Sequence, residues 1–391
     1  MLFETRDTVS WWLQIVAVAL AIAIVVTGGL LIGWDAYFGQ MKGTRYKSQG
    51  GVDINNTTIN EGDGAKGPNL EELEPADSGE EENNSEITGE TIHPSQLNSL
   101  KDNIKQWMNT GSAVHDSNVT NILLVGMDDN YSKTLSDHGR ADAMMLMSIN
   151  HKTKTITLAS LMRDQYAYIV HNGKGSFQKL HHSLNYGPAT LIQMLERYYK
   201  VTIDNYVIVN FASVAKVIDA LGGITVTIEP NEAKYLRDTC GWNISYGEST
   251  IGVDGAHALT YMRIRKGSTG GDTARTGRQR KVIMTMMNEA KQCSLTELIG
   301  VVNAMIPYVR TGLSSTEVLA YATNALTGGW FNYEIKQVTL PDDDCAVGFM
   351  NPEDGGWYWK TDFPIAAQKL QTALYGKTNI ELEKNRKSWI K

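Results

Sequence analysis

Apolar and polar positions divide the chain into three regions. These are one long uninterrupted apolar run, a polar stretch, and a region where strand-length apolar runs alternate with helix-period stripes. The apolar run covers residues 11–34, with no formal charge and only Gln14 strongly polar. As a helix it would reach about 36 Å, enough to cross a bilayer with some tilt. Trp11, Trp12 and Trp34 fit interfacial anchors. No small-residue cleavage site stands out, so the run predicts one uncleaved transmembrane signal anchor.

Residues 48–100 carry few aromatic or large aliphatic side chains. They cannot bury enough apolar surface to offset ordering, which predicts a disordered tether. Beyond residue 100 the pattern predicts strands over 121–126, 143–150 and 155–161, with a turn at 151–154. A helix over 188–199, a strand over 205–211, a helix over 212–221 closed by Gly222 and Gly223, and a strand over 224–228 follow. Residues 229–252 read as irregular, and 253–259 lead into an arginine-rich stretch. Val282, Ile283, Met286, Met287 and Ala290 form an apolar stripe on a helix over 275–291. Helices over 295–306 and 314–326, the latter with a Ser314–Glu317 capping box, precede a strand over 334–340 and a helix over 364–374. This alternation predicts an α/β domain, a mixed or parallel sheet with helices on its faces. The expected organisation is a short N-terminus (1–10), an anchor (11–34), an acidic flexible linker (35–100), one folded domain (101–376) and a polar tail (377–391).

Charge sharpens the division. Residues 48–95 hold twelve acidic residues and one lysine, a local charge of −11, so the remainder of a chain of net charge −7 is +4. Acidic linkers self-repel and extend. Cys240, Cys293 and Cys345 match no zinc spacing and leave any disulfide pairing open. Basic residues flank the anchor unevenly: Arg6 precedes it, and Lys42, Arg45 and Lys47 follow. Read literally, the positive-inside rule would place the C-terminal side in the cytoplasm.

The candidate chemistry centres on residues 261–279, where Arg263, Arg265, Arg275 and Arg278 face one carboxylate, Asp272. On an extended segment Arg263 and Arg265 point the same way. Arg275 and Gln279 fall on the inward face of the following helix. Guanidinium forks grip phosphate oxygens in pairs, so a multivalent anion is the expected partner. Elsewhere, Asp128 and Asp129 follow one strand, Arg140 and Asp142 open the next, and Arg163 and Asp164 follow the third. Asp128 and Asp142 are two hard oxygen ligands; phosphate and water would complete a Mg²⁺ shell, and Asp129 competes with Asp128. Lys179 and Gln279 are further donors. His181 and His182 are adjacent and read as ordinary polar contacts rather than metal ligands. This equipment suits a pyrophosphate, whose charge a metal and guanidiniums neutralise as one P–O bond breaks. No Walker-type loop is present, so no nucleotide is expected. Only about ten residues precede the anchor, too few for a nucleic-acid-reading domain.

These residues resemble the LytR-CpsA-Psr phosphotransferases over about 115–376. The resemblance rests on Gly126-x-Asp128, Arg140-x-Asp142, Arg163-Asp164, Lys179-Leu180-x-His182, Leu221-Gly222-Gly223, Arg263-x-Arg265 and Asp272-x-x-Arg275-x-x-x-Gln279. It implies an α/β/α sandwich with a central mixed sheet and a hydrophobic channel for a polyisoprenyl chain. It implies a Mg²⁺-dependent transfer, with Mn²⁺ as a substitute ion. A phosphate-linked glycopolymer, teichoic acid-like or capsular, would pass from a polyprenyl-diphosphate carrier in the membrane lipid to peptidoglycan, releasing polyprenyl phosphate. By the same resemblance Asp128 and Asp142 hold the metal, and Arg140, Arg163, Arg263, Arg265 and Arg275, with Lys179 and Gln279, bind the pyrophosphate. Asp142 or a metal-bound hydroxyl could each take the acceptor proton. Met162 stands where the family often has proline. The resemblance also implies a single-pass cell-membrane protein with a cytoplasmic N-terminus and an extracellular domain. That reading is preferred to the literal charge count, because long domains translocate largely regardless of a few flanking charges.

Overall fold

The computed structural model describes residues 43, 46, 51–65, 70–73, 90–127, 136–245, 247, 249–264, 308–314 and 333–390, with single positions between 278 and 330. In chain order the main strands are β1 (Val119–Met127), β2 (Ala141–Asn150), β3 (Thr155–Leu161), β4 (Tyr166–His171), β5 (Lys174–Lys179), β6 (Asn205–Asn210), β7 (Ile224–Thr227), β8 (Thr250–Val253), β9 (Glu334–Leu340), β10 (Ala346–Met350) and β11 (Trp357–Thr361). The helices are α1 (Pro94–Met108), α2 (Pro188–Tyr199), α3 (Phe211–Ala220), α4 (Pro230–Cys240), α5 (Gly255–Arg263) and α6 (Phe363–Tyr375). The fold is mixed α/β, and its chain divides into two compact units within β6.

The larger unit is built on a mixed sheet. β1, β2 and β3 pair antiparallel in sequence, and β9 adds parallel to β3, with Leu340 opposite Leu161. β1 and β2 are near-continuous apolar runs and are buried along most of their length. Unbroken burial of this kind marks a strand covered on both faces. α6 packs on β2, β3 and β9, and the 3-10 segment Leu180–Tyr186 packs on β2. The directions of these strands bring the end of β1, the start of β2 and the ends of β3 and β9 to one rim. The rim therefore collects Met127, Arg140, Asp142, Arg163 and Asp164, which are dispersed in sequence.

The β4–β5 hairpin turns at Asn172 and Gly173, with φ of 48° and 74°. Asn-Gly tolerates two left-handed residues in succession, which is what a tight hairpin of matching twist needs. Its function in the fold is to present Lys179 as the last residue of β5. α2 follows, and its C-cap Lys200 is left-handed with φ of 54°. Lys200 is buried, its Nζ donating to the Trp107 carbonyl at 3.0 Å and lying 4.8 Å from the Trp107 ring centroid. Burial, with Arg197 nearby, pushes its pKa down to about 7. The folded state thus disfavours the charge, and stability should climb as pH rises from about 7 towards the unfolded value near 10.4. Lys200→Met should abolish that climb and raise stability at pH 7 by roughly 1–3 kcal/mol. The Trp107 carbonyl keeps the Thr110 amide at 3.0 Å. Denaturant titrations at pH 7 and pH 9.5 measure both effects.

The expected linker and tail correct in part to structure. Within 35–100, Val52–Asp53 pairs with Val114–His115, and Ile59–Asn60 pairs with Ile380–Glu381. Ile54, Ile59, Leu73 and Ile92 are buried. α1 begins at Pro94 behind a His93–Gln96 capping box, ahead of the expected domain start. In the tail Arg386 bridges Glu61 at 2.7 Å and Asp362 at 2.7 Å. The physical reason is that a few isoleucines suffice when they dock on a core formed by other segments, so mean composition understates order.

In the smaller unit, α3 opens on a reciprocal Asn210–Ser213 cap, and Gly222 and Gly223 take positive φ before β7. β7 pairs antiparallel with β8. α3 and α5 pack closely because Gly255 lacks a side chain: a Cβ there would stand 2.2 Å from the Ala215 carbonyl oxygen. The stretch 229–252, expected to be irregular, contains α4 and most of β8. α4 was hard to see because only Glu232, Ala233 and Leu236 of its side chains are buried. Its start was nevertheless encoded, in Pro230 at the first turn and a Glu229–Glu232 capping box. Ser314 and Glu317 cap each other as the sequence implies, the Ser314 amide donating to Glu317 at 2.7 Å. The anchor over 11–34 and the helix over 295–306 lie outside the described residues. Among the described residues, no helix is long and apolar enough to cross a membrane. Cys240 and Cys345 are free thiols, and Cys293 lies outside the described residues.

Candidate functional site

The rim of the larger unit carries the candidate site. At the start of β2 the register shifts: Gly126 faces Ala143, but Met127 faces Ala141. Asp142 is therefore the extra residue of a β-bulge. A bulge bends the strand and re-aims the side chain of the extra residue, here at the open end of the sheet. The Asp142 amide donates to the Arg140 carbonyl at 3.1 Å, closing the bulge locally.

Arg163, just beyond β3, holds the centre. One of its terminal nitrogens donates to Asp142 Oδ1, and its Nε donates to Asp164 Oδ2 at 3.3 Å. Asp164 Oδ1 in turn lies 3.3 Å from Lys179 Nζ, which sits 5.7 Å from the Tyr358 ring centroid. The result is a relay of alternating charge: Asp142, Arg163, Asp164, Lys179. Its backbone is fixed on both sides. The Met162 amide donates to the Leu340 carbonyl at 2.8 Å, and the Trp359 amide donates to the Asp164 carbonyl at 2.8 Å. His181 Nδ1 donates to the Arg163 carbonyl at 3.1 Å. Met162, where a proline was anticipated by resemblance, thus uses an amide that proline would lack.

Electrostatics follow from this geometry. Burial works against the Arg163 charge, but Asp164 and Asp142 outweigh it and raise its pKa. Burial likewise opposes the Asp164 charge, and Arg163, His181 and Lys179 hold its pKa below the usual carboxylate value. His182 is pushed down to about 4, first by burial and then by the cations Lys179 and Arg140. Burial also pushes His181 well below the ordinary histidine value, and His182 registers Arg140 and Lys179 as neighbouring charges. Among the described residues no group of three or more His, Cys, Asp or Glu side chains could hold a metal.

Arg140, Asp142, Arg163 and Lys179 are thus drawn into one neighbourhood. Asp164, which the sequence places next to Arg163 after the third strand, joins the two cations and belongs with them. Its position directly after a strand was the available signal. Tyr358 gave none, because β11 lies against Asp164 and Gln165, far from it in sequence.

Arg263 belongs to the smaller unit and is the last residue of α5, not part of an extended segment. The period-2 reading fails there because Asp254 caps a helix, its carboxylate accepting from the His257 amide at 2.8 Å. Arg278 also departs from expectation. It is 1% exposed and donates to Glu232 Oε1 at 3.2 Å, so it is a structural cation with a carboxylate partner of its own. Sequence reasoning counted only Asp272 as a local carboxylate, since Glu232 is distant along the chain. Asp128, Asp129, Arg265, Asp272, Arg275 and Gln279 lie outside the described residues.

Comparison with known proteins shows the family. The LytR_cpsA_psr family description matches residues 80–374, starting ahead of the 115 expected by resemblance. Over 224 residues the chain is 33% identical to the Bacillus licheniformis polyisoprenyl-teichoic acid–peptidoglycan teichoic acid transferase TagU, covering 56% of this chain and 69% of the relative. The Bacillus cereus protein of the same name is 30% identical over 278 residues, covering 71% and 84%. The crystal structure of protein gbs0355 from Streptococcus agalactiae aligns with a TM-score of 0.50 at 22% identity, covering 70% of this chain and 93% of that one, which shows a shared fold. With three quarters of its length inside the family match, the chain belongs to the LytR-CpsA-Psr family.

Proposed function

We propose that the protein transfers a phosphate-linked glycopolymer from a polyprenyl-diphosphate carrier to peptidoglycan and releases polyprenyl phosphate. The observation that carries this reading is Arg163 held between Asp142 and Asp164 at the sheet rim, with Lys179 on the far side of Asp164. A fixed cationic fork suits a diphosphate, which presents several oxygens at short spacing. The teichoic acid transferases in the family give the reaction class.

In the reaction, an acceptor hydroxyl on peptidoglycan attacks the phosphorus that bears the glycopolymer. A new P–O bond forms, the bridging P–O bond breaks, and the hydroxyl proton leaves to a base. The lipid phosphate departs with the electron pair of the broken bond. Arg163, Arg140 and Lys179 would orient the diphosphate, and the family resemblance implies Arg263, Arg265, Arg275 and Gln279 as further ligands. They would also offset charge as it shifts onto the bridging oxygen. By the resemblance Asp128 and Asp142 would hold a Mg²⁺ or Mn²⁺ ion, two carboxylates leaving places for water and phosphate oxygens. When bound, the ion supplies further charge neutralisation. The membrane anchor over 11–34 would keep the site near a lipid-borne substrate, with the folded region on the outer face.

The test uses the full chain in detergent with lipid-linked glycopolymer, peptidoglycan and Mg²⁺. Asp142→Ala and Arg263→Ala should each lower phosphodiester formation at least about 100-fold. Unaltered turnover in both variants would remove the assignment. Lipid binding without product from any acceptor would turn the reading to a non-catalytic envelope regulator, and release of phosphate to water alone would turn it to a polyprenyl-pyrophosphate phosphatase.

A further inference from the structure

The turn that carries Arg163 and Asp164 is held from behind by a side chain that the transfer chemistry does not use. His181, in the 3-10 segment Leu180–Tyr186, is buried. Its ring Nδ1 lies 3.1 Å from the Arg163 carbonyl oxygen, and its amide donates to the same oxygen at 3.3 Å. A carbonyl can only accept, so Nδ1 carries the proton. Burial pushes the ring well below the ordinary histidine value, which favours the uncharged form. His181 thus donates beside Arg163 without setting a second cation there.

Planarity of the peptide bond gives this contact its reach. The Arg163 carbonyl belongs to the peptide unit that joins Arg163 to Asp164, and that unit moves as one plane. Two donors on its oxygen therefore set the directions in which both side chains leave the backbone. The neighbouring units are pinned by other residues. The Asp164 carbonyl accepts from the Trp359 amide at 2.8 Å, and the Gln165 carbonyl accepts from the Leu180 amide at 2.9 Å. Buried Gln165 closes the turn, its Nε2 donating to the Met162 carbonyl at 2.6 Å while its Oε1 accepts from Tyr199 Oη at 2.9 Å. His181 supplies the bonds at the one unit shared by the guanidinium fork and its carboxylate.

We infer that His181 is a positioning residue: through the Arg163 carbonyl it aims the Arg163 guanidinium and the Asp164 carboxylate, and so sets the fit of the fork to a diphosphate. The inference rests on the proposed role of Arg163 as a diphosphate ligand. An arginine fork binds by direction as well as charge, since two N–H groups must meet two oxygens at once. A tilt of the peptide plane therefore lowers affinity without removing any ligand. His181 touches no substrate in this account and acts only through the turn it holds.

The experiment uses full-length protein in detergent: wild type, His181→Leu, His181→Asn, Arg163→Ala and the double variant of Arg163→Ala with His181→Leu. Leucine fills much of the imidazole's volume but cannot donate, whereas the asparagine amide nitrogen stands where Nδ1 stood. Affinity for inorganic pyrophosphate is measured by calorimetry with Mg²⁺ present, and exchange of the Arg163 Nε–H is followed by NMR. His181→Leu should bind pyrophosphate at least about tenfold more weakly and exchange the Nε–H at least about tenfold faster. His181→Asn should stay within about threefold of wild type in both. On the Arg163→Ala background, His181→Leu should change the residual affinity by less than about twofold, because the effect passes through Arg163. An equal loss on both backgrounds, or unchanged affinity and exchange in His181→Leu, would overturn the inference. So would a wild-type ring carrying its proton on Nε2, read from the nitrogen shifts of labelled histidine, a result that needs no variant to fold. If wild type itself binds no pyrophosphate, the diphosphate reading falls. The Nε–H exchange still decides whether His181 aims the fork.

Discussion

Arg163→Ala should cut glycopolymer transfer by about 10²–10³ while leaving the sheet intact. The side chain is 41% exposed, so its removal opens no core cavity. Its loss would, however, leave Asp142 and Asp164 as neighbouring carboxylates without the cation between them. A site that attracted a diphosphate would then repel it. Arg163→Lys separates charge from shape. An ammonium keeps the positive charge but cannot bridge two carboxylates and present a planar fork. It should recover a minor part of the activity, with the deficit in kcat exceeding the rise in KM. Circular dichroism and thermal melting of both variants check that the fold is retained.

Asp164→Asn should be the second large effect, on both stability and activity. Asp164 joins Arg163 to Lys179 and its carbonyl accepts from Trp359, so it ties β3, β5 and β11 together. Its folded pKa is depressed. A carboxylate of that kind contributes stability at all pH values above its unfolded pKa of about 3.9, and the contribution is lost as pH falls through the lower folded pKa. Asp164→Asn should therefore lower stability at pH 7 by roughly 1–3 kcal/mol and flatten the acid limb below pH about 4. Chemical denaturation at pH 7, 4 and 3 reads this directly. Activity should fall as well, because two donors to the diphosphate lose their common support. An unchanged acid limb would show that Asp164 does not carry the pairing described.

The sequence disclosed the centre of the sheet well, because β1 and β2 are near-continuous apolar runs and a polar turn separates β2 from β3. α2 falls where its Pro start and apolar stripe put it, and β9 ends where Pro341 follows. It disclosed less where the signal was small or distributed. The Asn172-Gly173 hairpin was written in the chain, yet the flanking strands mix Lys, Gly, Ser and Gln with their aromatics, which hides their alternation. α4 was obscured by its polar surface. At the site, residue types were legible but partnerships were not. Arg278 looked like a phosphate ligand until Glu232, distant along the chain, took its charge. Asp142 was visible as a carboxylate near a strand, but not as the extra residue of a bulge. Spacing along a chain reports local geometry; it cannot report which strands share a rim.

The central claim is the proposal that Arg163 and its partners at this rim bind the diphosphate of a lipid-borne glycopolymer during its transfer to peptidoglycan. The most direct measurement is product stoichiometry. Full-length protein in detergent is given a polyprenyl-diphosphate glycopolymer, with and without peptidoglycan, and both products are quantified by mass spectrometry. The account predicts one polyprenyl phosphate released for each new phosphodiester on peptidoglycan, dependent on acceptor and lost in Arg163→Ala. Equal release by wild type and Arg163→Ala, or release with no phosphodiester formed, would contradict it.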